Sequence, residues 1–510
     1  MAYTEVFYPK LPMEGCADRI QDVIVRSGFS NGQVSERYRL ETPGGSVLVL
    51  VLVKYLHRTG SEMVVTAVLD ELEGGSASIS PPPVRWAAWE MSAARRSILS
   101  PSWKRLWRHE NNGFQIQRCS KAMTTVYLIR HAEAEGNLYR RVHGWYDSLI
   151  TENGYRQIAA LRGRFADIHI DAVYSSDLFR TMTTAKAVYL SHGLELHTDP
   201  GLREISLGAW EDKPWGELER CDAMNLIRFN HSSPDFRVEG GETFAQVQAR
   251  LKGTVLRLAA AHPGQTIALF SHGTAIRCLQ AALRGLGPGE MDGLGHSDNT
   301  AVTCLEVEGE RTRTVFENDN SHLPDEISTL ARQRWWKERD GTSGDANLWF
   351  RPLNLKKEGT VYRTARHEAW QDVNGPAVPF DGDAFQRDAL RCWKRAPERA
   401  VMCAMQRDET AGLLQMDLDR GAAEGVGYIP FLYMDPAHRR QGLGVQLLGQ
   451  AVSTYRPLGR DRLRLCCAPD NGIAQRFYQK YGFVKMGEEP GARGPLDVLE
   501  KYIGFEAKES

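Results

Sequence analysis

The stretch Thr125-Val126-Tyr127-Leu128-Ile129-Arg130-His131 decides how the centre of this 510-residue chain folds. Its first five residues are β-branched or apolar and predict a buried strand, which leads directly into an arginine and a histidine. An arginine can bind two oxygens of a phosphate, and an imidazole can accept a phosphoryl group. The pair alone is a weak indication, because a strand can also end in a structural Arg-His pair. Its weight therefore depends on whether other phosphate-binding residues occur downstream.

The chain beyond His131 alternates strand-like runs with helical patterns. Ala172–Ser175 and residues 266–270 have the composition of strands, whereas residues 154–166 and Phe244–Ala261 have helical periodicity. Such alternation predicts a mostly parallel sheet flanked by helices.

Polar residues that suit a phosphate come after several of these runs. Asn137 lies in the loop after His131, Arg180 opens a helical pattern, and Glu204 lies in a separate acidic motif. His272 ends the second apolar run. In this order and spacing the motifs resemble the histidine phosphatase superfamily, which has the phosphoglycerate-mutase-like fold, over about residues 122–320. Ala132 stands where that family commonly has glycine.

The resemblance implies a three-layer αβα domain and a set of roles. His131 would be the nucleophile that becomes a phosphohistidine, and Glu204 would be the general acid for the leaving alkoxide. The residues expected to bind phosphate are Arg130, Asn137, Arg180 and His272. Cations close to His131 disfavour its protonated form, which keeps a lone pair available. We expect a small phosphomonoester as the substrate.

The stretch after Glu204 bears on the choice between hydrolase and mutase. Mutases carry extra basic residues there to hold a bisphosphate, whereas Asp212-Lys213-Pro214 is mixed in charge. We therefore expect a hydrolase. A phosphoglycerate-type mutase and a non-catalytic sensor of phosphate or acyl-CoA remain alternatives.

A second glycine motif lies near the carboxyl end. Arg439-Arg440-Gln441-Gly442-Leu443-Gly444 comes after a strand-like run and precedes a helical one. Backbone N–H groups at such a turn can bind a pyrophosphate, since the glycines let it come close. With the later stretch from Asn471 to Phe483, the turn resembles the GNAT acetyltransferase family over about residues 347–505.

This second resemblance implies an α/β domain with a mostly antiparallel central sheet and acetyl-CoA, or another acyl-CoA, as cofactor. Tyr478 would be the general acid for the departing thiolate, although it is also compatible with a core aromatic residue. The residues expected to bind the cofactor are Leu432, Met434, Arg439, Arg440, Gln441, Gly442, Leu443, Gly444 and Asn471. The acceptor would be an amine of unknown identity. The sequence identifies no base for the attacking amine. Glu424 lies near the relevant strand, but an acidic loop residue describes it better.

Composition adds limits on the class of protein. Lys plus Arg number 63 and Asp plus Glu 64, so nothing calls for nucleic acid or a membrane surface. The nine cysteines form no CxxC pair, which favours reduced thiols, and no metal is expected. The longest apolar run, residues 47–53, is too short to span a membrane. We expect a cytoplasmic protein.

The division of the chain rests on these patterns. We predict an unassigned α+β domain over residues 1–120, the phosphatase-like domain over 122–320, a linker over 321–346 and the acetyltransferase-like domain over 347–505. The stretch Trp103-Lys104-Arg105-Leu106-Trp107-Arg108-His109 is compatible with nucleic acid or a phosphate-rich partner, or with an amphipathic helix whose cations are solvated.

Overall fold

The computed structural model describes residues 123–332 and 347–505, together with five strands nearer the amino terminus. Residues 1–121 form one compact unit and residues 122–510 a second. The basic and aromatic stretch at residues 103–109 lies outside the described residues, as do residues 333–346 of the predicted linker. Among the described residues, no helix is long and apolar enough to cross a membrane.

The first unit contains an antiparallel sheet in the order β1-β5-β4-β3-β2. Its strands are β1 (Val6–Phe7), β2 (Gly32–Thr42), β3 (Gly45–Leu56), β4 (Ser61–Asp70) and β5 (Arg85–Trp89). The apolar run at residues 47–53 lies within β3. The helical part of the predicted α+β class lies outside the described residues.

The second unit begins with a six-stranded sheet in the order β11-β10-β6-β9-β7-β8. Its strands are β6 (Thr124–Arg130), β7 (Ala172–Ser175), β8 (Leu196–Thr198), β9 (Thr266–Ser271), β10 (Val302–Glu308) and β11 (Arg311–Asp319). Strands β6, β9, β7 and β8 are parallel, whereas β10 and β11 add an antiparallel edge. The sheet is therefore mixed rather than simply parallel.

Helices cover both faces of this sheet. They are α1 (Glu135–Tyr139), α2 (Glu152–Phe165), α3 (Phe179–His192), α4 (Trp215–Cys221), α5 (Ala223–Asn230), α6 (Phe244–Ala261), α7 (Gly273–Leu283) and α8 (Thr329–Arg332). Alternation along β6 explains the layers, since Val126 and Leu128 enter one core and Tyr127 and Ile129 the other. The expected three layers result from these two cores.

Local signals set where the helices begin. The hydroxyl of Thr151 accepts a hydrogen bond from the Gly154 N–H at the start of α2. Thr243 and Gln246 form a reciprocal capping box at the start of α6.

Residues 327–329, which follow β11 and belong to the predicted linker, pack against this domain. The side-chain amide of Gln157 donates to the carbonyl oxygen of Ile327 at 2.7 Å and to the hydroxyl of Thr329 at 2.9 Å. The Ser328 hydroxyl donates to Asp298 at 2.6 Å. For residues 333–346 the linker stays a prediction.

A seven-stranded sheet comes next along the chain, in the order β12-β13-β14-β15-β16-β18-β17. Its strands are β12 (Trp349–Pro352), β13 (Val401–Gln406), β14 (Glu409–Asp417), β15 (Val426–Met434), β16 (Arg462–Cys467), β17 (Val484–Pro490) and β18 (Pro495–Tyr502). Its helices are α9 (Gly359–Asn374), α10 (Gly382–Arg395), α11 (Gly444–Tyr455) and α12 (Gly472–Lys480). The mostly antiparallel arrangement agrees with the expected class.

The one parallel pairing in this sheet, β15 with β16, is short. It joins Val426–Tyr428 to residues 462–464 and then stops, so the two strands separate. Strand β15 also shifts register against β14 between Tyr428 and Phe431, which is a bulge. Helices α9 and α10 cover one face of the sheet and α11 and α12 the other.

The two α/β domains of the second unit share a packed contact. Tyr139 of α1 is buried in the same apolar cluster as the core around α11. A Cβ on Gly449 of α11 would lie 2.4 Å from the Tyr139 Cβ, so only a glycine allows this approach. A buried ion pair joins Arg456 to Glu135 at 2.8 Å.

Candidate active sites

His131 lies at the carboxyl end of β6, where the parallel strands of the first sheet end together. Its ring is buried, with 1% of the residue exposed. Nδ1 lies 2.7 Å from the carbonyl oxygen of Ala132, which can only accept, so Nδ1 carries the proton and Nε2 holds a lone pair. The Asn299 side-chain amide donates to the His131 carbonyl oxygen at 2.9 Å and fixes the backbone.

Two arginines border this ring. Arg180, at the start of α3, is wholly buried and donates to the carbonyl oxygens of Gly144 at 2.6 Å and Tyr146 at 3.1 Å. Its Nη1 lies 3.6 Å from the carboxylate of Asp147. Arg130 donates to the carbonyl oxygen of Ser297. The Nε atoms of both arginines are buried without a partner among the described residues.

His272 completes the expected cluster from the neighbouring strand. Its ring centre lies 5.2 Å from that of His131, and its Nε2 lies 2.8 Å from the hydroxyl oxygen of Ser176. Burial, followed by the positive charge of Arg180, holds the pKa of both histidines well below the usual 6.5. Both rings are therefore neutral at neutral pH, as the crowding of cations predicts for His131.

The structure adds His143, which the sequence analysis missed. Its ring centre lies 5.8 Å from that of His131, and its buried Nδ1 has no partner within the described residues. Burial and the charges of Arg180 and Arg130 hold its pKa well below 6.5. A Cβ on Gly136 of α1 would lie 1.3 Å from the His143 Nδ1, so this close approach requires a glycine. No motif in the sequence pairs residues 136 and 143.

Glu204 is buried next to the same cluster, and its charge acts on both Arg130 and Arg180. Its carboxylate accepts the backbone N–H groups of Thr274 at 3.0 Å and Ala275 at 2.8 Å in the first turn of α7. The side chain is thus fixed at a helix N-terminus, which favours a negative group.

Asn137 has a local role as well. Its amide oxygen accepts the Ala134 N–H at 3.1 Å and caps α1. Its amide nitrogen has no partner among the described residues, and no contact places it against His131.

The second candidate site lies around the turn before α11. Arg440 and Gly442 take left-handed backbone angles, with φ of 62° and 78°. Among the described residues, the backbone N–H groups from Arg440 to Leu443 donate no backbone hydrogen bond. Open space surrounds Gly442, so an anion can approach the backbone. These N–H groups and the start of α11 fit the pyrophosphate of an acyl-CoA.

Side chains in and beside this turn hold its shape. The Arg439 Nε donates to the carbonyl oxygen of Met434 at 2.9 Å, and its guanidinium pairs with Asp372 at 2.8 Å. The Gln441 amide donates to the carbonyl oxygen of Ala437 at 2.8 Å. Leu432 and Met434 pack partly buried against the core under α11. These side chains brace the turn, which leaves its backbone groups for a ligand.

Tyr478 and Asn471 lie on α12. The side chain of Asn471 accepts the Ala474 N–H at 3.2 Å, so it caps this helix. Tyr478 is buried beside Cys467, at the end of β16 where the two strands separate. Burial, and then Cys467, raises the pKa of the Tyr478 phenol above its usual 10, so it keeps its proton. Its hydroxyl has no hydrogen-bond partner among the described residues.

Comparisons with known proteins assign both domains. The model of the histidine phosphatase superfamily (branch 1) matches residues 126–320, and the model of the acetyltransferase (GNAT) family matches residues 365–483. Proteins named probable phosphoglycerate mutase GpmB, from Cronobacter sakazakii and Yersinia pestis, are each 34% identical over 164 residues. That match covers 32% of this chain and 76% of each relative.

A solved structure named Bacillus stearothermophilus YhfR is 32% identical and has a TM-score of 0.38. The match covers 39% of this chain and 98% of that protein. The chain belongs to the histidine phosphatase superfamily through residues 126–320 and carries a GNAT acetyltransferase domain at residues 365–483.

Proposed function

We propose that the first domain hydrolyses a small phosphomonoester through a phosphohistidine on His131. The observation that carries this proposal is the hydrogen bond from its Nδ1 to Ala132, which leaves Nε2 as a free lone pair among buried arginines. Arg130 and Arg180 each keep an unpartnered buried Nε–H, and such donors suit the oxygens of a phosphate dianion. His272 adds a donor to the same anion, and for Asn137 this role rests on the family resemblance alone.

These positions support the following chemical steps. Nε2 of His131 attacks phosphorus, the bond to the leaving oxygen breaks, and that oxygen takes a proton from Glu204. Water then attacks the phosphohistidine and gives a proton back to Glu204, which releases inorganic phosphate.

Hydrolysis is favoured over a mutase by the residues after the acidic motif. The carboxylate of Asp212 pairs with Arg141 at 2.7 Å, and the ammonium of Lys213 pairs with Glu217 at 3.2 Å on the surface. Both charges therefore have partners outside the pocket, and this segment offers no cation for a second phosphate.

The test uses the full chain, a panel of phosphomonoesters and the His131→Ala variant. We expect release of phosphate without added bisphosphate, an acid-labile phosphoenzyme, and a loss of kcat of about 1000-fold or more in the variant, since the nucleophile is gone. The exposed His169 offers a matched control, and His169→Ala should keep full activity. Isomerisation of phosphoglycerate in place of hydrolysis would support the mutase; phosphate binding without turnover would support a sensor.

We propose that the second domain transfers an acyl group from acetyl-CoA, or another acyl-CoA, to an amine. When bound, acetyl-CoA supplies an activated thioester. The turn from Arg439 to Gly444 binds its pyrophosphate, and the separated edge of β15 around Leu432 and Met434 pairs with the pantetheine arm. Asn471 lies at the cap of α12, near the cofactor. Tyr478 gives its proton to the departing thiolate.

The structure suggests a base that the sequence did not. Glu489 of β17 accepts the thiol of Cys466 at 2.9 Å and the phenol of Tyr428 at 3.4 Å, at the separation of β15 and β16. We propose that this carboxylate is the general base, which accepts the proton that the attacking amine loses. Glu424, by contrast, is exposed and lies on a short turn outside the separation.

The test measures thiol release from acetyl-CoA with a panel of primary amines, alongside calorimetric binding of acetyl-CoA. Binding together with amine-dependent thiol release is expected. Binding alone, with no amine accepted, would support a sensor in place of an enzyme, and no binding would contradict the proposal.

A further inference from the structure

One face of the second sheet is covered by helix α9, which packs on β15 beside the point where β15 and β16 separate. The turn between β17 and β18 returns to the end of α9, where the Arg493 guanidinium donates to the carbonyl oxygen of Asn374 at 3.2 Å. Helix α9, strand β15 and this hairpin therefore border the same side of the separated strands.

Arg366 lies on the inner face of α9, one turn after the buried Tyr362. Its guanidinium stacks between two aromatic rings, 4.2 Å from the centre of Phe385 and 4.4 Å from that of Phe431. Phenylalanine faces hold the plane of a guanidinium but accept none of its in-plane hydrogen bonds. The orientation of this cation is thus fixed while its edge stays available.

That edge has almost no partner of its own. Nη1 donates one long hydrogen bond, 3.4 Å, to the carbonyl oxygen of Pro430, and the buried Nε–H of Arg366 reaches no acceptor. Within residues 123–332 and 347–505, no carboxylate lies in ion-pair distance of it. Burial lowers the pKa of Arg366 from its usual 12.5. A half-buried cation with unused donors is costly unless an anion completes it.

A carboxylate lies beyond Tyr428. Glu489 accepts the thiol of Cys466 and the phenol of Tyr428 and pairs with Arg420 at 2.9 Å, and the Arg420 guanidinium also stacks on the Tyr428 ring. Glu489 therefore has its own cation, whereas Arg366 has no carboxylate partner among the described residues. The ligand group that suits Arg366 is an anion.

We propose that the acyl acceptor is a primary amine that also carries an oxyanion, either a carboxylate or a phosphate ester, and that Arg366 binds this oxyanion. The proposal rests on the acyl transfer inferred above. The amine nitrogen forms a bond to the thioester carbon, the carbon–sulfur bond breaks, Tyr478 protonates the thiolate and Glu489 takes the proton from nitrogen. Arg366 stays charged throughout and sets which amines are accepted.

The experiment compares ethanolamine, β-alanine and phosphoethanolamine, within a wider panel of primary amines paired with and without an oxyanion. The variants are Arg366→Gln, Arg366→Lys and the control Arg363→Gln, whose side chain lies exposed on the same helix and pairs with Asp383. We expect wild type to prefer the anionic amines, and Arg366→Gln to raise their KM by about 30-fold or more. The KM for neutral amines and for acetyl-CoA should not change.

Several results bear on the inference. Arg366→Lys could restore a low KM more fully for amines that carry a phosphate than for amines that carry a carboxylate. That result would identify a phosphate ester, because a carboxylate uses the bidentate fork that lysine lacks. Preference for neutral amines, or an unchanged preference in Arg366→Gln with acetyl-CoA binding intact, would overturn it. Thiol release with no amine at all would instead contradict the proposed transfer. Equal losses in Arg363→Gln would show a general effect on α9 and would also overturn it.

Discussion

The two candidate sites of the second unit are built from different groups. Around His131 the groups are side chains, buried at the carboxyl edge of a parallel sheet and fixed by carbonyl oxygens such as that of Gly144. At the turn before α11 they are backbone N–H groups on an exposed segment, with Arg440 and Gly442 in left-handed conformations. Side-chain chemistry can be inferred from residue types, whereas a backbone site is visible only through the glycines that shape it.

The helices that follow the two candidate sites are in contact. Helix α1, which follows His131 in sequence, packs through Tyr139 on Gly449 of α11, which follows the glycine turn. The ion pair between Glu135 and Arg456 is buried at this contact. Substitutions at this contact therefore test whether the two candidate sites are coupled through α1 and α11 or are independent.

The largest expected effect is on stability, from Arg456→Met. Removing one partner of a buried pair leaves an uncompensated charge and costs about 3–5 kcal/mol. We expect the free energy of unfolding of the second unit to fall by that order in urea titrations. The double variant Glu135→Gln/Arg456→Met should recover part of the loss, as a double-mutant cycle would measure. A loss in the double variant equal to the sum of the single losses would contradict a coupled pair.

Gly442→Asp should affect the backbone site alone. The left-handed φ of 78° disfavours any side chain, and a carboxylate there repels a pyrophosphate. We expect acetyl-CoA affinity to fall about 100-fold in calorimetry, or roughly 2.7 kcal/mol. Phosphatase activity should be unchanged. An equal fall in phosphatase activity would show that the glycine turn and the His131 site depend on each other.

Tyr478→Phe should reduce the rate of acyl transfer while leaving the turn intact. Burial keeps the phenol protonated, and its removal deprives the thiolate of an acid. General acids contribute roughly 100-fold or more, so we expect kcat to fall by about that factor. The KM for acetyl-CoA should stay the same. A full kcat would mean that Tyr478 is only a core aromatic residue, packed between Phe477 and Phe483.

The sequence indicates which residues cluster around His131 more directly than it indicates the groups of the glycine turn, for physical reasons. The apolar runs before His131 and before His272 predict two strands. In a parallel sheet the carboxyl ends of such strands lie at the same edge, which brings the two histidines together. The antiparallel edge was missed, because Arg311–Asp319 is largely polar and partly exposed and carries little strand periodicity. Asn471 also caps α12, a role that the sequence analysis did not include, and its cofactor contact stays a prediction.

Other contacts were not predictable because they join distant positions. His143 enters the cluster from a loop and packs against Gly136, which lies in α1, a helix of five residues that is too short to show a helical period in the sequence. Arg366 and Phe431 are 65 positions apart by number and meet only when α9 packs on β15. Pairing of this kind is decided by tertiary packing, which propensity and period do not encode.

The smallest expected effect is a pH dependence of stability that belongs to the first site. His131, His143 and His272 have pKa values well below 6.5 when folded, because burial disfavours the imidazolium. In the unfolded chain a histidine takes its proton near pH 6.5, so the unfolded state binds more protons below that value. Stability is therefore retained above about pH 6.5 and lost as pH falls toward the folded pKa values.

The variant His143→Gln isolates one of these groups. Each buried imidazole contributes at most about 1.4 kcal/mol per pH unit, so the variant should lose stability less steeply between pH 6.5 and pH 5. Urea titrations at several pH values measure this slope. His169→Gln changes a side chain that is 82% exposed and should leave the slope as in wild type. Parallel slopes for all three proteins would mean that His143 titrates in the folded state as it does in water, which its burial between Arg130 and Arg180 argues against.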